Sequence, residues 1–337
     1  MDFNMRTSLL FSAVLFCTTS LYAQVEDFSG VDFKKADSIA GLYPGHALSD
    51  LKLLSDKLTT TLSTDVEKFR AIYRWVCNNI DNDYTLYSRN KHKREKLKDA
   101  DELKKWNTKI SVKVFQTLLE KHRTVCTGYA YLVKELAHHA RIPAEIIDGY
   151  GRTAVSNIGG AGIPNHTWNA VRFGNKWYLC DATWSSGAID IDKGVFVKTY
   201  NDSYFLLEPS LFIRNHYPLD TAWILMDHKP TLETFLHRPL IYSAIFPFKI
   251  DQLFPDTFAI TTPRRQPVAF RFTKQSARPV ENVELIIDGR TETVKAGLYK
   301  DVDGLYCIDH TFRSKGKHVV HILFDGNHAF TYTVKVI

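Results

Sequence analysis

The spacing of apolar residues predicts helices along the first part of the chain. Residues 65–80 carry apolar side chains at three- and four-residue steps, which is the pattern of one buried helical face. These side chains are Phe69, Ile72, Tyr73 and Val76. Residues 24–60 are helical in pattern but more polar, and a shorter helix is predicted at 110–122. We therefore expect an N-terminal helical extension, residues 24–64, packed on a domain that begins at residue 65.

A further amphipathic helix is predicted from Cys126 to Ile142. Its apolar positions are Ala130, Val133, Leu136, Ala137 and Ala140. Pro143 ends the pattern, because the residue before a proline is disfavoured in the α conformation. Cys126 therefore lies in the first helical turn. There the unpaired backbone amides and the helix dipole favour a thiolate, and the same amides can receive an oxyanion.

Two alternating segments, 166–173 and 176–183, predict a β-hairpin around Gly174-Asn175. With a two-residue loop, Phe173 pairs with Lys176. The same register places Trp168 opposite Asp181 and His166 opposite Thr183. His166 and Asp181 are then diagonal neighbours on one sheet face, about 7–8 Å apart at their backbones and within side-chain reach.

From about residue 240 the pattern changes to short alternating strands. They are Val268–Phe272, Val283–Ile287, Leu305–Ile308, Val319–Phe324 and Phe330–Val334, with turns at Asp288-Gly289, Asp303-Gly304 and Asp325-Gly326. Such a series predicts a β-sandwich that is immunoglobulin-like in outline, over residues 239–337. The preceding residues, 65–238, combine helices and strands. The expected fold class is α+β, with the Cys126 helix packed on an antiparallel sheet and a C-terminal β-sandwich domain.

Three residues in this arrangement form a candidate catalytic set. Cys126 would supply a nucleophile, His166 a base and Asp181 a carboxylate that orients the base, which are the parts that an activated thiol requires. Taken singly, a buried thiol or a hydrogen-bonded histidine is an ordinary core residue. Their order, on a helix and two neighbouring strands, favours the catalytic interpretation.

The motifs around these residues resemble the transglutaminase-like superfamily of papain-type cysteine enzymes. The relevant stretches are Cys126-Thr-Gly-Tyr-Ala, His166-Thr-Trp-Asn and Trp177-Tyr-Leu-Cys-Asp-Ala-Thr-Trp. The segment Tyr204–Trp223 and the helix at Ile72–Ile80 resemble the branch of kyphoscoliosis-peptidase type. The resemblance covers about residues 65–240 and implies a papain-like core in which Cys126, His166 and Asp181 are nucleophile, base and orienting carboxylate. Thr124 departs from the family, which usually has glycine two residues before the nucleophile.

Four more residues are expected to border the substrate pocket. Trp168 and Trp184 would wall the site and exclude water, although both also suit an apolar core. Tyr150 and Thr124 are the other two. The glycine-rich stretch from Tyr150 to Asn165 is predicted to be a loop, either a mobile flap beside His166 or an ordinary surface loop.

Length and composition fit a globular protein of two domains. The 337 residues are 45% hydrophobic and 13% aromatic. Arg6, the apolar run Leu9–Cys17 and the small residue Ala23 predict a secretory signal over residues 1–23. We therefore expect export, to the periplasm, the cell surface or the medium. No later segment has the length and apolarity of a transmembrane helix.

The cysteines and the charged residues indicate which bonds, ligands and partners to expect. Cys77, Cys180 and Cys307 show no regular spacing with Cys126, so buried free thiols are expected. The sequence contains no pattern of metal ligands, and we predict neither a metal nor a cofactor. The net charge of +6 arises partly in the region 84–105, where acidic residues are interleaved. That region suits a solvated helix or loop, or contact with an anionic wall polymer or membrane surface, and no motif for nucleic-acid binding is present.

The expected function is acyl transfer on a peptide or side-chain amide. Attack by water on the thioester would give a peptidase or amidase, and attack by an amine would give a cross-linking transglutaminase. Hydrolysis is favoured, with a peptide or protein substrate such as a cell-envelope peptide. The alternative is a catalytically silent binding module that docks a surface or wall partner. The oligomeric state is not predicted.

Overall fold

The computed structural model describes residues 25–94, 96–97, 100–154, 156–190, 193–289 and 292–337. The predicted signal sequence, residues 1–23, lies outside these ranges. The α-helices are α1 (Lys34–Gly41), α2 (Leu51–Thr59), α3 (Asp65–Asn79), α4 (Tyr84–Arg94), α5 (Ala100–Lys121), α6 (Cys126–His139), α7 (Ala182–Ser186), α8 (Pro209–Phe212) and α9 (Leu232–His237). Short 3₁₀ helices occupy Val25–Phe28, Thr221–Ile224 and Ser243–Phe248. None of the helices in these ranges combines the length and the apolar character that a membrane crossing requires.

The strands fall into two groups along the chain. The first group is β1 (Asp81–Asn82), β2 (Arg123–Thr124), β3 (Ala144–Gly151), β4 (His166–Phe173), β5 (Lys176–Cys180), β6 (Gly187–Asp190), β7 (Val195–Lys198) and β8 (His216–Pro218). The second is β9 (Leu240–Ile241), β10 (Leu253–Phe254), β11 (Ala259–Thr262), β12 (Pro267–Phe272), β13 (Val283–Ile287), β14 (Val294–Lys295), β15 (Tyr299–Lys300), β16 (Tyr306–Thr311), β17 (Gly316–Phe324) and β18 (Asn327–Val336). The fold is α+β, as the sequence predicts.

The predicted N-terminal helices form and pack on α3. Thr64 and Glu67 make a reciprocal capping box at the start of α3, which fixes the first turn of that helix. Arg70 of α3 is buried, and its guanidinium pairs with both Asp37 of α1 and Asp202, a residue that follows β7. The extension and the segment after the sheet are therefore tied to the same helix.

Helix α6, which begins at Cys126, packs on the antiparallel sheet of strand order β5-β4-β3-β8. Most of the predicted apolar stripe of α6 is buried, including Val133 and Leu136. The helix ends at His139 rather than at the predicted Ile142. The reason is a left-handed residue, Arg141 (φ 63°), after which the Ile142 amide returns to the Ala137 carbonyl at 2.9 Å.

Two further sequence predictions need correction. The helix expected at 110–122 is α5, which begins at Ala100 and ends at Lys121. The hairpin register is confirmed, since Phe173 pairs with Lys176, but β5 ends at Cys180. The expected pairs of Asp181 and Thr183 with β4 are absent because Asp181 leaves the strand to cap α7, where its side chain accepts the amides of the next turn.

The C-terminal residues form two sheets that share one apolar core. The strand orders are β11-β18-β17-β13-β14 and β10-β12-β16-β15, with β9 also paired to β18. Phe270 and Ile308 of one sheet are packed in the same cluster as Leu285 and Val320 of the other. The β-sandwich is thus confirmed, whereas its immunoglobulin-like outline stays a prediction. Asp325 and Gly326 both have positive φ (51° and 78°), which produces the tight turn between β17 and β18.

Candidate active site

Cys126 is the first residue of α6, as predicted, and its side chain is partly exposed. The preceding residue, Val125, is extended, and its carbonyl accepts the Gly128 amide at 2.9 Å. Leu86 of α4 and Val114 of α5 pack with Val125 in one small apolar cluster. Two helices therefore fix the backbone directly before the thiol.

Thr124 occupies the position where the resembled family has glycine, and its environment explains how the chain accommodates it. The side chain is fully buried. A Cβ on Gly128 would lie 1.9 Å from the Thr124 Oγ1 and 2.8 Å from its Cβ, so only glycine fits one turn into the helix. Thr124 therefore lies behind the accessible surface and does not line an open pocket, contrary to the sequence prediction.

His166 is the first residue of β4 and pairs with Gly149 of β3. A Cβ on the nearby Gly151 would lie 2.8 Å from the His166 Cβ, so glycine leaves space for the histidine. The imidazole Nε2 is 2.6 Å from the Asp181 Oδ2, and the same ring is near enough to the Cys126 thiol to lower the pKa of that thiol. Because Nε2 is hydrogen-bonded to the Asp181 carboxylate, Nδ1 is the ring nitrogen that can interact with the Cys126 sulfur. The three predicted residues are thus brought together.

The Asp181 carboxylate accepts four hydrogen bonds although the side chain is only 1% exposed. Oδ1 accepts the backbone amides of Thr183 at 2.8 Å and Trp184 at 3.2 Å, which caps α7. Oδ2 accepts from two imidazoles, His166 at 2.6 Å and His216 at 3.0 Å. One oxygen therefore anchors local structure and the other contacts the candidate catalytic base.

His216 was not predicted from the sequence. It begins β8, which pairs with β3 at the far edge of the sheet from β5, and it is 1% exposed. Its Nδ1 lies 2.8 Å from the Asn215 side-chain oxygen, and the Asn215 side-chain nitrogen lies 2.9 Å from the Tyr204 hydroxyl. All three residues belong to the Tyr204–Trp223 segment, so the available signal was a set of hydrogen-bonding side chains in a largely apolar stretch.

The charges of the cluster favour a thiolate and imidazolium pair. Burial alone would raise the pKa of Cys126, but the hydrogen bond to His166 and the charge of that ring outweigh it, and the pKa lies below its ordinary value. Burial opposes the imidazolium of His166, yet the Asp181 charge raises its pKa to about 10. Burial likewise opposes the Asp181 carboxylate, and the His166 charge nevertheless holds the pKa of Asp181 well below its usual range.

The other predicted pocket residues divide into two groups. The Trp184 ring centroid lies 5.1 Å from that of His166, and Trp168 lies 6.0 Å from it but is 1% exposed. Both tryptophans therefore adjoin the imidazole, with Trp168 in the core. Tyr150 instead packs on Tyr217, with ring centroids 6.3 Å apart, on the β3 face opposite to that of its glycine neighbours. It makes no ring contact with His166 within the part of the chain that the structure describes.

His166, Asp181 and His216 also have the composition of a metal site, since their ligand atoms lie within 4.8 Å of one another. The two imidazole nitrogens lie 2.6 and 3.0 Å from the same carboxylate oxygen. These are hydrogen-bond lengths between the side chains themselves, whereas two side chains that share a zinc ion each lie about 2.0–2.2 Å from the ion and so stand farther apart from one another. We therefore interpret the cluster as hydrogen-bonded, and the sequence-based prediction of no metal stays a prediction.

The free thiols agree with the sequence prediction. All four cysteines within the described ranges, Cys77, Cys126, Cys180 and Cys307, are unpaired. Three of them are buried, and Cys126 alone of these four is partly exposed. Burial raises the pKa of Cys77, Cys180 and Cys307, which is opposite to the direction at Cys126. The candidate nucleophile is therefore distinguished by both access and charge.

Sequence comparison relates the region that carries these residues to known proteins. Residues 52–182 match the sequence family described as the transglutaminase-like superfamily. Kyphoscoliosis peptidase of Homo sapiens is 29% identical over 232 residues, which is 68% of this chain and 32% of that protein. Hillarin of Drosophila melanogaster is 26% identical over 232 residues, covering 64% of this chain and 26% of its own. The chain thus spans a third or less of the length of these relatives.

Among solved structures, one described as a TGase has 16% sequence identity and a TM-score of 0.27, covering 47% of this chain and 38% of its own. A superposition this loose supports no comparison of individual residues.

Proposed function

We propose that this chain, whose residues 52–182 match the transglutaminase-like superfamily and which is similar to kyphoscoliosis peptidase, is a cysteine-dependent acyl-transfer enzyme acting on amides. One observation supports this most strongly. The Cys126 thiol, the His166 imidazole and the Asp181 carboxylate form a chain in which the imidazole is hydrogen-bonded to the carboxylate at 2.6 Å and lowers the pKa of the thiol. Such a chain is the arrangement that activates a thiol as a nucleophile.

The proposed reaction proceeds in two stages. The Cys126 thiolate attacks the amide carbonyl carbon and forms a tetrahedral oxyanion. When this collapses, the C–N bond breaks and the amine leaves with the proton from His166, which leaves a thioester on sulfur. In the second stage a nucleophile attacks the thioester and gives its proton to His166, and the thiolate is regenerated. Asp181 keeps the imidazole oriented and stabilises its positive charge throughout.

The second nucleophile decides between two products. Water yields a carboxylic acid and makes the protein a peptidase or amidase, whereas a primary amine yields a new amide and makes it a transglutaminase. We favour hydrolysis of a peptide or protein amide. Export of the protein, to the periplasm or the cell exterior, is part of the same proposal and rests on the N-terminal sequence alone.

The decisive test is the product formed from peptide libraries, measured by mass spectrometry with and without a small primary amine. Wild type should release cleaved peptides, and Cys126→Ala should release none. Cys307→Ala is the matched control, because that thiol is buried in the sandwich and has a raised pKa. Amine adducts without cleavage would favour the transglutaminase. No product with any library, together with slow alkylation of Cys126, would favour the silent binding module.

A further inference from the structure

Two imidazoles share a single oxygen of Asp181, and only one of them belongs to the proposed triad. A carboxylate can only accept hydrogen bonds, so His216 must carry a proton on Nε2, as His166 does. The two ring centroids lie 5.2 Å apart. The second imidazole is therefore placed to influence the charge of the first through the carboxylate between them.

The surroundings of His216 favour its neutral form. Aromatic rings enclose it, with centroid distances of 4.2 Å to Phe212, 4.3 Å to Trp184 and 5.1 Å to Trp168. The titratable groups that face the ring in the described structure are Asp181, His166 and Tyr204. Burial, which outweighs the attraction of Asp181, lowers the pKa of His216 to about 4.

The Asn215 side chain provides a link between protonation and geometry. As placed, its oxygen faces the His216 Nδ1 at 2.8 Å, an arrangement that needs protons on both ring nitrogens. A neutral ring with the proton on Nε2 needs a donor at Nδ1 instead. Rotating the carboxamide by half a turn supplies one, and the amide oxygen then accepts from the Tyr204 hydroxyl, the atom that now lies 2.9 Å from the nitrogen.

We propose that His216 is a positioning residue, which in its neutral form orients the Asp181 carboxylate while leaving the full negative charge to His166. The inference rests on the proposed function and extends it. A neutral donor fixes Oδ2 without adding positive charge. A protonated His216 would place a second cation against the same oxygen and would weaken the thiolate and imidazolium pair at Cys126. Protonation of His216 thus sets an acid limit that the three triad residues alone would not have.

Two substitutions separate these roles. His216→Gln retains an N–H donor near the position of Nε2 but cannot titrate. His216→Phe fits an aromatic cage but has neither a donor nor a titrating proton. The readout is the second-order rate of Cys126 alkylation by iodoacetamide as a function of pH, resolved by peptide mass spectrometry. This rate reports the thiolate and needs no substrate.

We expect His216→Phe to slow alkylation of Cys126 at pH 7 by about tenfold to a hundredfold, because that factor corresponds to the usual contribution of a hydrogen bond to a charged group. His216→Gln should restore the rate to within about threefold of wild type. The acid limb of the rate profile of His216→Gln should shift to lower pH, because the titrating group at residue 216 has been removed.

A His216→Gln profile that superimposes on that of wild type would overturn the proposal, whether or not His216→Phe folds. Failure of the proposed function gives a different result. In that case His166→Ala would leave alkylation of Cys126 unchanged, or peptide products would be absent while the His216 effect on alkylation persisted.

Discussion

Replacing Asp181 by asparagine should separate the charge of this side chain from its shape. The carboxylate satisfies two sets of donors, backbone amides on Oδ1 and imidazoles on Oδ2. A carboxamide has one accepting oxygen and can satisfy only one set. If that oxygen keeps the α7 cap, the amide nitrogen meets two imidazole N–H groups. His166 must then surrender its Nε2 proton and cannot hold the imidazolium form.

The magnitude follows from the pKa of His166. The Asp181 charge raises that pKa from 6.5 to about 10, against the opposing effect of burial. Without the charge, the pKa returns to 6.5 or lower. A fall of about 3.5 units corresponds to roughly 5 kcal/mol, so transfer of the Cys126 proton to His166 becomes about 3,000-fold less favourable. Because relaxation and water will offset part of this, we expect alkylation of Cys126 to slow by about 100-fold to 1,000-fold at pH 6.5.

The assay compares the pH dependence of Cys126 alkylation in wild type, Asp181→Asn and a matched control. Asp220→Asn is suitable as the control, because Asp220 also caps a short helix, through the Ala222 amide, but is exposed and uninvolved in the site. A thermal unfolding curve establishes that each variant is folded. An Asp181→Asn profile within threefold of wild type at every pH would refute the electrostatic role that we assign to this carboxylate.

Three further predictions concern stability. The pKa of His216 falls from 6.5 to about 4 on folding, so between these pH values the folded state binds fewer protons than the unfolded state. Acidification from pH 6.5 to 4 should therefore lower the free energy of unfolding of wild type by on the order of 3 kcal/mol. Chemical unfolding of His216→Gln should not show this loss of stability. Gly128→Ala should lower the free energy of unfolding by about 1–3 kcal/mol through its clash with Thr124. Adding Thr124→Gly should recover most of that loss, and an equally stable single variant would contradict the clash. Thr64→Ala should cost about 1 kcal/mol by removing the capping box of α3, and an unchanged midpoint in urea would exclude that contribution.

Local patterns were sufficient to predict the elements that carry Cys126 and His166. Helical periodicity identified α6, and the Gly174-Asn175 turn set the β4–β5 register. Asp181 was wrongly placed on a strand, because the apolar alternation of β5 runs directly up to it. Its role as a helix cap depends on α7, which has five residues and no recognisable period.

His216 could not be predicted in the same way, because nothing local specifies its partner. Between Asp181 and His216 lie a short helix, the β6–β7 hairpin and α8, and the contact forms only when β8 pairs with β3. Such a register depends on the packing of the whole sheet. The length of α5 was underestimated for a related reason. Its polar first half has no apolar stripe and is held through contacts such as the Trp106 indole to Asn90 at 2.8 Å.

The contact between His216 of β8 and Asp181 bears on how much of the chain is needed to build the candidate site. The family match ends at residue 182, directly after the proposed orienting carboxylate, whereas the second imidazole on that carboxylate lies at His216. The Tyr73 hydroxyl of α3 lies 2.9 Å from the Asp181 carbonyl and 3.2 Å from that of Tyr204, so the same helix supports both segments. The charge of Asp181 is compensated by His166, but one of the two imidazole donors to its Oδ2 comes from β8. The hydrogen bonds that orient this carboxylate are therefore complete only in a domain that extends at least to β8.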